Sequence, residues 1–248
     1  MLVLKIGGNE IDDPAFIKKL GKTVAEMPEA PVLVHGGGKE IKQLQERLGM
    51  EPQYIDGLRV TDTESLALVK MVLAGRVNKR LTAALFDAGL DAFGMSGVDR
   101  ASIKAKKLIH PDGDLGFVGE ITAVRTEVFK RLLEDNVAPV LSPICYGPGG
   151  EIFNVNADHV AVALAVALQA DELVFVSNVP GVMADKKVQP KLTAQEVNEL
   201  IETKIIHSGM IPKVRSALRA IESGVSVVRI TNLQGLTKQG GTAIVAKP

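Results

Sequence analysis

Short apolar runs alternate with longer amphipathic stretches along most of the chain. Runs rich in Val, Ile and Leu at 2–6, 31–34, 92–95, 139–142, 173–177 and 225–230 read as strands buried on both faces. Between them, apolar positions recur at helical spacing over 16–27, 39–48, 63–74, 78–88, 127–134, 157–168, 194–202 and 213–223. Strands alternating with helices predict an α/β fold of right-handed βαβ units around an open, mainly parallel sheet. Such sheets bind ligands beyond the C-terminal ends of their strands, so the loops there are where chemistry is expected. The stretch 104–124 differs: Asp112-Gly113-Asp114 and Gly116 punctuate short alternating segments, which predicts a hairpin excursion. With no Ser/Pro-rich linker or internal repeat, the expectation is one continuous domain of two lobes meeting at a cleft, residues 1–170 and 171–248.

Composition narrows the partners. The 29 basic residues balance 29 acidic ones with no long basic run, which argues against nucleic acid. A single cysteine, Cys145, allows neither an intrachain disulfide nor a cysteine metal site and fits a reducing compartment. No apolar run approaches the ~18 residues of a membrane span. Residues from Met1 to Gly8 already read as a strand and a glycine turn rather than a signal peptide. A soluble, cytoplasmic protein is expected.

Glycine-rich turns at the strand ends carry the candidate chemistry. In Lys5-Ile6-Gly7-Gly8-Asn9 the glycines let backbone N–H groups approach an anion, and Lys5 can add a point charge; an ordinary glycine turn is the alternative. His35-Gly36-Gly37-Gly38-Lys39 ends a strand just before a helix, where amides and helix N-terminus suit phosphate or carboxylate. It is neither a Walker A loop nor a dinucleotide fingerprint. His35 itself reads as a hydrogen-bonded turn residue or as a ligand contact. Arg59, in Asp56-Gly57-Leu58-Arg59-Val60-Thr61-Asp62, suits bidentate carboxylate binding, or else pairs with Asp62 or Glu64. Asn154-Val155-Asn156-Ala157-Asp158 puts three polar side chains on one side of an extended segment; helix capping accounts for one of them, and three together exceed what it requires. Lys213 follows Ser208-Gly209-Met210-Ile211-Pro212 at a helix start, where a cation calls for an anionic partner unless it is simply solvated.

Two lysines, several anion-holding turns, one arginine, one acid and no catalytic triad suit phosphoryl transfer, where positioning and charge neutralisation dominate. A carboxylate acceptor is already nucleophilic and needs no general base.

In order along nearly the whole chain, KIGGN, VHGGGKEI, DGLRVTD, MVLAGRVNKRL, GMSGVD, DLGFVGEI, NVNAD, SNVPGVM, SGMIPKV and GGTAIV resemble the amino acid kinase family. DGLRVTD, VNK and NVNAD point to its branch acting on N-acetyl-L-glutamate in arginine biosynthesis. The resemblance implies a three-layer α/β/α sandwich, with an acylamino-acid and dimerisation lobe followed by a nucleotide lobe. It implies ATP with Mg²⁺ held mainly by the ATP phosphates, and no protein metal site. Lys5 and Lys213 would stabilise the transferring phosphoryl group, with Asp158 holding both in register. Gly37, Gly38, Arg59 and Asn154 would bind the acylamino acid. Gly7, Gly8, Asn178, Val179, Pro180, Gly181, Val182, Met183, Ile205, Gly209, Met210 and Lys213 would contact the nucleotide.

Two departures carry expectations of their own. Asn178 stands where that branch commonly has aspartate and where related acetylaminoadipate kinases of lysine synthesis have asparagine, so the longer acid is the alternative substrate. The first strand begins at Leu2, without the extra N-terminal helix of arginine-inhibited hexamers, so a homodimer with little arginine inhibition is expected. A non-catalytic nucleotide sensor of the same fold is the alternative from another class, and the retained Lys5, Lys213 and Asp158 speak against it.

Overall fold

The computed structural model describes residues 1–7, 10–184, 187–207 and 209–247. In chain order the first half carries strands β1 (Leu2–Ile6), β2 (Val32–His35), β3 (Tyr54–Ile55), β4 (Leu58–Arg59), β5 (Ala92–Ser96), β6 (Ile103–Lys107) and β7 (Gly119–Val124). The second half adds β8 (Ala138–Ser142), β9 (Ile144–Tyr146), β10 (Ile152–Asn154), β11 (Glu172–Val176), β12 (Met183–Ala184), β13 (Lys187–Val188), β14 (Lys191–Thr193), β15 (Val227–Thr231) and β16 (Thr242–Val245). Among the described residues the main sheet has eight strands in the order β14-β16-β15-β11-β1-β2-β8-β5. Every neighbouring pair is parallel except β15 and β16. The mainly parallel sheet expected from the sequence is therefore present.

Helices cover both faces, which makes the fold a three-layer α/β/α sandwich. One face carries α1 (Pro14–Ala25), α2 (Gly38–Arg47), α3 (Thr63–Lys70), α4 (Asn78–Asp87) and α9 (Leu233–Lys238). The other carries α5 (Thr126–Glu134), α6 (Ala157–Leu168), α7 (Ala194–Glu202) and α8 (Met210–Glu222). Strand alternation assigns the faces: Val3 packs with α5, α6 and α8, while Leu4 and Ile6 pack with α1 and α4. Lys5 shares the face of Val3, and this aims it at α6.

The helices at 63–74 and 78–88 are joined rather than separate. A π-helical segment, Met71–Val77, carries the chain from α3 into α4 without a break. Helix α8 starts three residues earlier than expected, because Pro212 falls in its first turn, where a missing N–H is harmless. The excursion is the antiparallel pair β6/β7, part of a second sheet ordered β10-β9-β6-β7. Strand β1 pairs with β11 on one side and β2 on the other. The chain thus leaves β1 and β11 toward opposite halves of the sheet, and the crevice beyond their ends is a topological switch point.

Candidate active site

A cleft of about 630 Å³ opens at that switch point, lined by the segments after β1, β2 and β11 together with the starts of α2, α6 and α8. Lys5, Gly7, Gly37, Gly38, Arg59, Asn154, Asp158 and Lys213, drawn from distant parts of the chain, all line it. Among the described residues five cationic side chains face it (Lys5, Lys39, Lys42, Arg59, Lys213) against two carboxylates (Glu10, Asp158). That balance suits an anionic ligand.

The Lys5 ammonium lies 2.9 Å from Asp158 Oδ1. Asp158 is in the first turn of α6, where a carboxylate is favoured, and Asn156 caps that helix by accepting from the Asp158 N–H at 2.8 Å. The other carboxylate oxygen, Oδ2, accepts from Ser216 Oγ on α8 at 3.3 Å. Asp158 therefore touches Lys5 directly but reaches the helix of Lys213 through Ser216. The expectation that Asp158 holds both lysines itself is corrected in that respect. Lys213 donates to its own helix at the Gly209 carbonyl, 3.4 Å away, and no carboxylate among the described residues lies within ion-pair reach of it. The anionic partner expected from its place at a helix start is not a side chain among the described residues.

The geometry of the second glycine turn suits an anion. Gly37 caps α2 without a side chain, so the first-turn N–H groups of the helix have no partner from the cap. A Cβ at Gly37 would lie 2.6 Å from Leu73 Cδ2, whereas one at Gly38 would meet nothing within 4 Å. His35 does not line the cleft. It is fully buried, its Nδ1–H donates to the Gly36 carbonyl at 2.8 Å, and Nε2 faces the Asn78 Nδ2 donor at 3.1 Å. Burial pushes its pKa down to about 4 and keeps the ring neutral. Asn78 also donates to the Val140 carbonyl at 2.8 Å and so ties α4 to β2 and β8.

Arg59 is presented by the hairpin β3/β4, whose turn residues Asp56 and Gly57 have φ of 48° and 76°. That is the type I′ geometry for which Asp-Gly is a preferred sequence. The guanidinium pairs with neither Asp62 nor Glu64. Nη1 donates to Gln45 Oε1, Nη2 donates to the Gly38 carbonyl at 3.0 Å, and Cζ lies 4.8 Å from the centre of the Tyr54 ring. Asp62 instead caps α3 by accepting from the Ser65 N–H at 2.7 Å. Asn154 donates to Thr61 Oγ1 at 3.1 Å, and Thr61 donates in turn to the Arg59 carbonyl at 2.8 Å.

The remaining expected residues divide. The Gly7 N–H is committed to the Val176 carbonyl at 3.1 Å, so it is not free to hold phosphate. Gly8 lies outside the described residues. Val182 is fully buried in the core and its N–H donates to Thr242 Oγ1 at 2.8 Å, which gives it a structural part. Gly181 packs against Thr242 and Val188, where a Cβ would have no room. Asn178 and Pro180 are exposed and Val179 is half-buried beyond β11, while Met183 and Ile205 are exposed and Gly209 and Met210 open α8. None of these lines the cleft itself.

Three features had no motif to announce them. Gln45 and Tyr54 hold Arg59. Glu40, almost buried, joins α2 to the π segment and α4 by pairing with Arg76 at 2.9 Å and with Arg80.

Residues 1–232 match the amino acid kinase family. Acetylglutamate kinase of Roseiflexus castenholzii is 54% identical over 99% of this chain and 94% of its own. Among solved structures, smu.665 from Streptococcus mutans is 34% identical with a TM-score of 0.81, covering 99% and 98% of the two chains. N-acetylglutamate synthase from Neisseria gonorrhoeae, complexed with coenzyme A and N-acetyl-glutamate, is 28% identical with a TM-score of 0.85, over 100% of this chain and 59% of that one.

Proposed function

Because this chain belongs to the amino acid kinase family, we propose that it transfers the γ-phosphoryl of ATP to the side-chain carboxylate of N-acetyl-L-glutamate, a reaction of arginine biosynthesis. The observation that carries this reading is one cleft holding the Lys5–Asp158 pair, the open N-terminus of α2 and a buried arginine. Near full-length relatives named acetylglutamate kinase support the substrate.

In this reading Arg59 binds the α-carboxylate, Asn154 the acylamino group, and the amides at Gly37 and Gly38 the acceptor end. The acceptor oxygen attacks the γ-phosphorus, the bond to the β–γ bridging oxygen breaks, and ADP leaves with that electron pair. No proton need be removed from the nucleophile. Lys5 and Lys213 neutralise charge growing on the transferring group and the leaving oxygen, and Asp158 positions Lys5. Residues 1–170 supply the acylamino-acid half and 171–248 the nucleotide half, with Asn178–Pro180, Met183, Ile205, Gly209, Met210 and Lys213 toward its rim. Asp158 is committed to Lys5 and Ser216, so Glu10 is the remaining cleft carboxylate among the described residues. That donor set fits Mg²⁺ carried on the ATP phosphates, where it neutralises charge, rather than in a protein cage.

The cytoplasm fits the lone thiol: Cys145 is buried and its pKa is pushed up to about 12, so it stays protonated. No helix among the described residues is long and apolar enough to cross a membrane. A homodimer fits the sheet edge at β5, where Phe93 is 50% exposed, and Phe86 on the adjacent α4 is 54% exposed. The test of activity is ADP release that requires N-acetyl-L-glutamate as well as ATP; ADP release indifferent to the acid would refute the acceptor assignment.

A further inference from the structure

Arg59 is 9% exposed, and every group that holds it is neutral. Gln45 Oε1 accepts from Nη1, the Gly38 carbonyl accepts from Nη2 at 3.0 Å, and the Tyr54 ring lies beside the guanidinium. No carboxylate among the described residues lies within ion-pair reach. This is unusual chemistry for a buried cation, which ordinarily takes a carboxylate partner because desolvation is costly. Burial lowers the Arg59 pKa, and only the Tyr54 side chain offsets that. The acids nearest in sequence are turned elsewhere: Asp62 is spent on the Ser65 N–H, 2.7 Å away.

Gln45 is the side chain that fills the carboxylate's place. It is 2% exposed, and its Nε2 donates to Ser65 Oγ at 3.0 Å. The amide has one possible orientation, since a guanidinium has only donors and must face the carbonyl oxygen. Ser65 fixes the other end. Gln45 therefore locks the direction of Arg59 while leaving its full positive charge uncompensated.

We propose that Gln45 is a positioning and specificity residue of this site: a neutral acceptor that aims Arg59 without neutralising it, reserving the charge for the carboxylate of the substrate. This rests on the reading that Arg59 receives the α-carboxylate. It also explains why glutamine and not glutamate occupies the position, although glutamate has nearly the same shape and would bind arginine more tightly. An internal acid would compete with the substrate for the same guanidinium.

The test uses the full chain with Gln45→Glu and Gln45→Met, with Arg59→Ala as control, measuring kcat, both KM values and thermal melting. In Gln45→Glu the KM for N-acetylglutamate rises at least about tenfold, the scale of one lost charge-assisted hydrogen bond. Its kcat and KM for ATP stay within about twofold, and the melting temperature does not fall. Gln45→Met keeps the charge free but loses the aim, and raises that KM by a smaller factor. A merely structural glutamine would give the reverse order, with Gln45→Glu near the parent and Gln45→Met impaired, and that result overturns the proposal. Should Gln45→Glu melt early, a Gln45→Met KM equal to the parent's also overturns it. If Arg59→Ala leaves the KM for N-acetylglutamate unchanged, it is the assignment of Arg59 to the carboxylate that fails.

Discussion

The Lys5 ammonium and the Asp158 carboxylate stand 2.9 Å apart across the junction of β1 and α6, both largely shielded from water. The pair fixes where the positive charge sits before any ligand arrives. Preorganised charge of this kind acts in the transition state more than in the ground state. Lys5→Ala is therefore expected to lower kcat by about 10²–10³ while the KM for ATP changes little. Asp158→Asn, which leaves Lys5 in place but loosens it, should cost less than Lys5→Ala. Steady-state kinetics of both variants decide this; a large rise in KM with unchanged kcat would place Lys5 in ground-state binding instead.

Gly37 and Gly38 are adjacent but should behave oppositely. At Gly37, φ is 158° and an added Cβ would meet Leu73 at 2.6 Å and Val77 at 3.3 Å, both buried in the π segment. Gly37→Ala is expected to cost about 1–3 kcal/mol of stability through overpacking. Gly38 is in the first helical turn with open space where the methyl would go. Gly38→Ala should keep or slightly raise the melting temperature, yet raise the KM for the acylamino acid by intruding at the amides. Thermal melting combined with KM for each variant checks both halves.

His35 makes stability depend on pH. Its folded pKa of about 4 lies below the ordinary 6.5, so the unfolded chain binds a proton that the folded chain refuses. This contribution is complete above about pH 6.5 and is lost as pH falls toward 4, at ~1.4 kcal/mol per pH unit and on the order of 3 kcal/mol in all. Urea midpoints measured between pH 4 and 7 should fall more steeply for the parent than for His35→Gln, by one proton's worth of slope. Equal slopes would mean that the ring is not held neutral.

The exposed edge of β5 supplies the oligomer prediction. Phe93→Glu places a charge at the exposed edge of the sheet and should convert the proposed dimer to monomer in light scattering, with the melting temperature of the protomer little changed. A dimer that survives the change would move the interface elsewhere.

Much of this site is legible in the chain, and for a physical reason. Glycine turns at strand ends must be written in glycine, a type I′ turn asks for Asp-Gly, and Ala157–Leu168 appears as a helix with the limits its periodicity gives. The short edge strand Lys191–Thr193, its neighbour Thr242–Val245 and the six-residue helix Leu233–Lys238 are too brief to show a period in the sequence. The π segment hides by shifting the helical period, which makes α3 and α4 look separate. Gln45 and Tyr54 were silent because their roles depend on which side chain arrives from another element. Ser216 was silent likewise: the link from Asp158 to α8 exists only once two distant helices are packed.

The central claim, phosphoryl transfer to the side-chain carboxylate of N-acetylglutamate, is tested most directly by trapping the product. The purified chain is mixed with ATP, Mg²⁺ and hydroxylamine, with N-acetyl-L-glutamate and N-acetylaminoadipate in parallel, and the coloured hydroxamate of any acyl phosphate is read. Strong colour with N-acetyl-L-glutamate, little with the longer acid and none with Lys5→Ala is the predicted result. Colour mainly with the longer acid, or none with either while ATP still binds, would contradict the account.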